Sequence, residues 1–336
     1  MAIRVCTLSN MKNENTDRRN WLKISLGLVT GAIGSAFSPL RIVKEECSVT
    51  PRQELGPFPT MKFRGQSDHD IDLTKIAGQE GVATGEHIIV KGRILDTDCK
   101  PVDGAIVEIW QANHHGKYRH ELGDEGKSDP NFQGWGQAIT NSKGEYSFKT
   151  IIPGLYARRA RHIHYKISKR GYHELITQLY FEGYERNDTD GLLNLFTHEE
   201  QKRVVKKLNK DSQIPIVEFD INIDEVLDGS VPEKVLAEYT GKYDLHFKGT
   251  YYERMLTNFL GGPYEKAVMS IENEGNILYI TTLGAPKSEL LWKAKDHFNA
   301  SSFYTTELFF KRDASGRVNE VIFKWRSGGE MKGIRI

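Results

Sequence analysis

The chain has 336 residues, 38% of them hydrophobic and 27% charged, with 46 Lys and Arg against 45 Asp and Glu. This is an ordinary globular composition with room for two domains and a substantial core. A net charge of +1 argues against a nucleic-acid or polyanion partner.

Residues 1–40 read as a leader. Asp17-Arg18-Arg19-Asn20-Trp21-Leu22-Lys23 resembles a twin-arginine motif, and an apolar run rich in Gly and Ala follows from Ile24 to Phe37. That run is shorter than the roughly 20 residues that span a bilayer, so it reads as a signal peptide rather than an anchor. Small residues at Gly34, Ser35 and Ala36 suit cleavage shortly afterwards. Met11 is an alternative start, and an uncleaved N-terminal helix is the plainer alternative. The expected location is periplasmic or otherwise extracytoplasmic, with no membrane span left after cleavage. The leader holds five Lys and Arg and two Asp and Glu, so the remainder carries 41 against 43. Cys6 lies in or before the leader, which leaves Cys47 and Cys99. In an oxidising compartment that pair could close a loop of about 52 residues, worth about 4 kcal/mol on the chain-entropy model. Two unrelated thiols are the alternative, and neither matches a cysteine-nucleophile pattern.

From His87 the pattern is strand and turn. His87–Ile94 reads as a strand, Asp96–Lys100 as a turn and Gly104–Trp110 as a second strand. Gln137–Thr140, Asn141–Gly144 and Glu145–Phe148 read as strand, turn, strand, and His162–Ser168 and Leu175–Phe181 continue the sheet. Thr197 caps a short helix through about Leu208, with Glu200 at the capping-box position. Ile216–Ile223 alternates Val217, Phe219 and Ile221 on one face. Short strands separated by Gly and Asn turns predict an antiparallel sandwich. Asp224–Glu238 reads as a linker around Asp228–Pro232. Beyond it, Tyr243–Ile336 is a run of short strands divided at Asn273–Asn276, Gly284–Pro286 and Asp313–Gly316. His246 and His297 stand alone there and read as surface or core residues. The expected division is 1–40 signal peptide, 41–227 first domain, 228–238 linker and 239–336 second domain. The expected fold class is all-β: an antiparallel β-sandwich followed by a small antiparallel β-barrel.

The chemistry concentrates between Tyr118 and His164. His162 and His164 are two apart, which on a strand puts both imidazoles on one face. Imidazole suits transition metals. Phenolate is a hard, anionic donor that suits Fe(III). A free Tyr has a pKa of roughly 10, so it needs a strong Lewis acid to ionise near neutrality. On spacing alone, a His-X-His pair is more often structural, and each Tyr reads as a core or rim aromatic.

Several separate blocks then point one way. They are Thr50-Pro51-Arg52-Gln53 with Gly56-Pro57, Val107–Asn113 running into Gly116-Lys117-Tyr118-Arg119-His120, Asp129-Pro130-Asn131-Phe132, His162-Ile163-His164 and Gln178–Gly183. With them, the segment from about Thr50 to Ile223 resembles the intradiol ring-cleavage dioxygenases, and is most similar to the protocatechuate 3,4-dioxygenase beta chains. The short Tyr156-X-X-Arg159-X-X-His162-X-His164 spacing resembles the exported, single-chain members.

The resemblance implies a non-haem Fe(III) held by Tyr118, Tyr156, His162 and His164. It implies insertion of both atoms of O2 between the hydroxyl-bearing carbons of a catechol, giving a cis,cis-muconate. Tyr156 would be the tyrosinate that leaves the iron and takes a substrate proton, while Tyr118 stays. Arg159 would stabilise carbanion character on the ring; its choice over Arg158 and Arg161 rests on spacing. Gln178 would orient a ligand or substrate, and Trp110 would line the ring pocket. The substrate is open among protocatechuate, catechol, hydroxyquinol and larger phenols, and a homo-oligomer is compatible. The alternative is a prealbumin-like binding or scaffold module without iron. The C-terminal region resembles lipocalin-like barrels appended to exported bacterial enzymes, as a lid, a dimer contact or a ligand-binding barrel.

Overall fold

A computed structural model of the chain describes residues 47–56, 68, 70–119, 127–226, 231–247, 267–282, 287–325 and 329–336. The leader and the Gly284–Pro286 turn expected from the sequence lie outside them. Strand-forming runs give β1 (His87–Leu95), β2 (Ile106–Trp110), β3 (Trp135–Ile139), β4 (Glu145–Ile151), β5 (His162–Ser168) and β6 (Leu175–Phe181). Then come helix α1 (His198–Val204) and the short strands β7 (Val205–Lys206), β8 (Leu208–Asn209), β9 (Ile216–Glu218) and β10 (Ile221–Asn222). One sheet is built on β1, which pairs with β4, β9 and β10, and β8 extends β9; the other runs β3-β2-β5-β6-β7. Their facing sides bury Val90, Ile109, Phe148, Ile163, Tyr165 and Phe219 in one core.

The structure departs from expectation in three places. The sandwich is not wholly antiparallel: β9 and β10 run parallel to β1, and β7 parallel to β6. The strand expected over Ile216–Ile223 is split, because the Asp220 carboxylate takes the Arg93 backbone N–H at 2.8 Å and its guanidinium at 2.6 Å. A side chain thus replaces a ladder bond. The helix begins at the expected capping box, with both reciprocal bonds made. It stops at Val204, where β-branched Val205 is drawn into β7 beside Tyr180.

The stretch expected as a linker holds a short helix, α2 (Glu233–Leu236), and a 3-10 turn at Ala237–Tyr239. After it, β11 (Gly241–Phe247), β12 (Ala267–Glu274), β13 (Ile277–Thr282), β14 (Ser288–Ala294), β15 (His297–Ala300), β16 (Phe303–Arg312), β17 (Val318–Trp325) and β18 (Glu330–Arg335) form a closed antiparallel barrel. Tyr239, Tyr243, Phe298 and Phe310 pack its interior. His246 is exposed beside Asp244, and His297 stacks on Phe309 and meets Glu307, so both stay outside any cluster. Among the described residues, no helix is long and apolar enough to cross a membrane.

One extended segment, residues 47–56, runs as a strap across the sandwich. Cys47 is bonded to Cys99, with Cα atoms 5.4 Å apart, an ordinary disulfide separation. The strap then bonds along the molecule: Thr50 N–H to the Asn222 carbonyl (3.0 Å), Thr177 Oγ1 to the Pro51 carbonyl (2.7 Å) and Gln53 N–H to the Ile176 carbonyl (2.8 Å).

Candidate active site

Strand alternation divides β5 into two faces. Ile163, Tyr165 and Ile167 enter the sandwich core. His162, His164 and Lys166 face the other way, yet all three are buried. The register builds rows on that outer face. Trp135, Trp110, His164 and Gln178 are successive cross-strand partners on β3, β2, β5 and β6. His162 sits opposite Tyr180. Trp110 stacks on the His164 imidazole with ring centroids 4.9 Å apart and planes 10° apart. It therefore packs against a face of the imidazole.

The tyrosines arrive on two loops fastened to each other. The Asn113 side-chain oxygen accepts the N–H groups of His115 and Lys117, and its carbonyl accepts those of Gly116 and Gly154. Gly116 has φ +80°, and a Cβ there would lie 2.0 Å from the Leu155 carbonyl oxygen. Only glycine allows the chain leading into Tyr118 to lie so close to the chain leading into Tyr156. The two rings meet edge to face at 5.0 Å.

Three heteroatoms converge as a result. Tyr118 Oη lies 3.0 Å from His162 Nε2 and 3.0 Å from His164 Nε2, and the two nitrogens are 3.1 Å apart. His162 Nδ1 donates to the Ala160 carbonyl at 2.6 Å, which leaves its Nε2 with a lone pair aimed into the triangle. His164 Nδ1 lies near the backbone of Glu54, on the strap. Burial, with the Arg159 charge, pushes His162 down to about 3. Burial, then the His162 and Arg159 charges, hold His164 well below its ordinary value. Both rings are neutral donors near neutral pH.

The donor set fits a cation. Two donors each about 2.1 Å from a metal and at right angles stand about 3.0 Å apart, the separation seen here. The third donor in this triangle is the Tyr118 phenol oxygen; among the described residues no group of three or more His, Cys, Asp or Glu is arranged to hold a metal. Tyr156 is half-buried and packs against this group through its ring.

Arg159 turns inward, whereas Arg158 is exposed and Arg161 pairs with Glu185. Its Nη2 donates to Gln178 Oε1 (2.7 Å) and Tyr180 Oη (2.8 Å), and its Nε to Asp190 Oδ2 (2.8 Å). Burial opposes its charge, but Tyr180 and Asp190 outweigh burial and raise its pKa. Gln178 also donates from Nε2 to the Glu54 carbonyl at 2.9 Å, which ties it to the strap.

Sequence reasoning missed Asp190 and Tyr180. Asp190 is fully buried and also accepts the backbone N–H groups of Ala160, Leu192 and Leu193. Arg159 counteracts the burial that would otherwise raise its pKa, and the carboxyl is held below its ordinary value. In the sequence, Asp190-Gly191 looks like any turn. Tyr180 was within reach: two places from Gln178 on a strand, it had to share that face.

Comparison with known proteins bears on the same segment. A family model described as Dioxygenase matches residues 59–229, half of this chain. The protocatechuate 3,4-dioxygenase beta chain of Burkholderia cepacia is 40% identical over 39% of this chain and 59% of its own length. The catechol 1,2-dioxygenase of Candida albicans is 34% identical over 30% of this chain and 39% of its own. The chain thus spans under two thirds of the length of either relative. Among solved structures, the dioxygenase domain of a dioxygenase–carbohydrate-binding protein fusion from Streptomyces sp. SirexAA-E is 28% identical, with a TM-score of 0.42 over 53% of this chain and 100% of that one. A matched segment that contains both tyrosines, both histidines and the arginine cluster leaves one assignment: the chain belongs to the intradiol ring-cleavage dioxygenase family.

Proposed function

We propose that the protein cleaves a catechol-type ring between its two hydroxylated carbons with O2, to a cis,cis-muconate-type product. The observation that carries this reading is the triangle of Tyr118 Oη, His162 Nε2 and His164 Nε2 at 3.0–3.1 Å. These residues and Tyr156 would hold a non-haem ferric ion, which when bound supplies a Lewis acid and a template for catechol and O2. Tyr118, buried between the imidazoles, suits a ligand that stays. Tyr156, at the half-buried rim, suits one that swings away and takes a substrate hydroxyl proton on its phenol oxygen. Arg159 suits the steadying of negative charge on the ring, because its cation is aimed by Asp190, Gln178 and Tyr180. The relatives named for protocatechuate and catechol support a catechol-type substrate.

Protein loaded with ferric iron should be red-brown, with a broad visible charge-transfer band, and should consume O2 with at least one of a panel of catechols. A loaded sample with no band and no O2 uptake would leave the prealbumin-like binding module as the better reading.

We also propose an extracytoplasmic location. The Cys47–Cys99 bond suits an oxidising compartment, and Arg18-Arg19 suits a twin-arginine exporter. A precursor with Arg18→Lys and Arg19→Lys should stay in the cytoplasm, and normal delivery would rule this out.

A further inference from the structure

The barrel docks on the sheet face that carries the imidazoles. Lys166 follows His164 by two places on β5, and Glu174 precedes Ile176 by two on the other side of the same row system, so both lie on that face. They meet at 3.0 Å. The barrel reaches this spot with one end. Ser301 Oγ donates to Glu174 Oε1 at 2.7 Å. Glu289 Oε2 accepts the Glu174 backbone N–H at 2.7 Å, and its Oε1 accepts from His173 Nδ1 at 2.6 Å. Glu289 and Ser301 are fully buried there. Buried carboxylates tolerate little displacement, because a lost partner leaves a desolvated charge.

The same barrel end touches the strap. The Ser302 carbonyl accepts the Leu55 backbone N–H at 3.0 Å. On one side of Leu55, the Glu54 carbonyl accepts from Gln178, which in turn bonds Arg159. On the other side, Gly56 has φ +64° and lies so close to His164 that a Cβ would sit 2.6 Å from its Cε1. Leu55 itself is fully buried in the cluster containing Trp110 and Tyr118. The bond from the barrel therefore lands between the two strap residues that touch Gln178 and His164.

We propose that the barrel is a positioning element of the dioxygenase site: Ser301 and Glu289 hold this barrel end on Glu174 and His173, Ser302 there seats the strap at Leu55, and the strap fixes the His164 ring and the Gln178 amide. The positioning rests on packing; only its consequence for catalysis rests on the iron-dependent reading above. It acts through Leu55 and Glu174, so it should be selective for one end of the barrel. The turn at Asp296, at the opposite end of β14 and β15, bonds Tyr239 and Arg312 and reaches no strap residue among its described partners.

The test uses the full chain. Glu289→Ala and Ser301→Ala are compared with Asp296→Ala, which loosens the barrel at its other end. Two quantities are read: amide exchange of the peptide spanning residues 50–56, and the rate at which a chelator strips ferric iron from the loaded protein. The two docking variants should raise both, iron loss by about tenfold, the lower end of the range seen when a partner that orients a ligand is lost. Glu289→Gln, which keeps an acceptor for the Glu174 N–H, should restore both, and Asp296→Ala should change neither. Equal effects from Asp296→Ala, or wild-type exchange and iron loss in the docking variants, would overturn the proposal. If the wild-type chain holds no iron, the metal reading fails, and the exchange measurement still decides whether the barrel seats the strap.

Discussion

The same three residue types, an arginine, an aspartate and a tyrosine, meet twice in this molecule with opposite consequences. At the end of the barrel, Arg312 bonds both oxygens of Asp296, pairs with Glu238 at 2.7 Å and reaches the Tyr239 hydroxyl. Two carboxylates answer one cation in a partly exposed corner, and the cluster fastens a turn. On the sandwich, Arg159 has a single carboxylate partner, Asp190, and its remaining bonds go to the neutral Gln178 and Tyr180. Part of its charge is left to act on the imidazoles, both of which it depresses. Composition is shared; what separates a fastener from candidate catalytic machinery is how far the charge is neutralised and what it faces.

The tyrosines allow the sharpest test of that contrast. Tyr243, buried in the barrel, donates to the Tyr239 carbonyl at 2.8 Å, and burial raises it to about 12. It is a protonated phenol with an ordinary partner, and Tyr243→Phe should cost about 1 kcal/mol of stability with no change in turnover. Tyr118 faces two imidazole lone pairs instead, and Tyr118→Phe should abolish iron binding, colour and activity. Iron content and a melting curve on both variants decide it; iron retained in full by Tyr118→Phe would remove this residue from the ligand set.

Next come the arginines. Arg159→Leu should keep iron and bind catechol but react with O2 about 10² to 10³-fold more slowly, the usual loss when one charge-stabilising donor goes. Arg312→Leu should leave that rate alone. Stopped-flow mixing of the anaerobic catechol complexes with O2 separates them, and equal rates would mean that facing the imidazoles gives Arg159 no special part.

The carboxylates should differ in stability. Removing one partner of a buried pair costs about 3–5 kcal/mol, which is expected for Asp190→Ala. Asp296 is a quarter exposed, and Asp296→Ala should cost about 1 kcal/mol, as partly exposed pairs do. Denaturant titration of both would show whether burial sets the difference.

The smallest effect lies between the two regions. Burial pulls His173 down, but the hydrogen bond and charge of Glu289, helped by Asp224 and opposed by Arg52, hold it above its ordinary 6.5. The stabilisation is therefore complete below pH 6.5 and is lost as pH rises through the raised value. Melting temperature should show this decline in the wild type and lose it in Glu289→Gln. An unchanged pH profile in that variant would assign the slope to another group.

Much of this was legible in the sequence because it is local. The His162-X-His164 pair needs only strand alternation to share a face, and the capping box at Thr197 and Glu200 needs only one turn of helix. Arg159 was picked out by its place between Tyr156 and His162, and its inward turn separates it from Arg158 and Arg161. Asp190 was hidden because its partners come from a different loop, and a carboxylate that caps a turn looks the same whether or not an arginine also claims it. Glu174 and Glu289 were further out of reach: each is an unremarked charge on its own strand, and only docking of the barrel buries them together. The split between β9 and β10 was missed for a similar reason, since Asp220 competes for a ladder donor on distant Arg93.

The pairing of β11 with β18 also bears on the order of events during synthesis. The ring is completed by its first and last strands, so it stays open until Glu330–Arg335 has left the ribosome. Long-range closures of this kind are late and slow. The strands that carry the histidines are made well before then, and must wait without the barrel contacts at His173, Glu174 and Leu55. Interruption of translation within the last strand would release a chain that has every candidate ligand but lacks the closed ring that holds the Ser301–Ser302 turn in place.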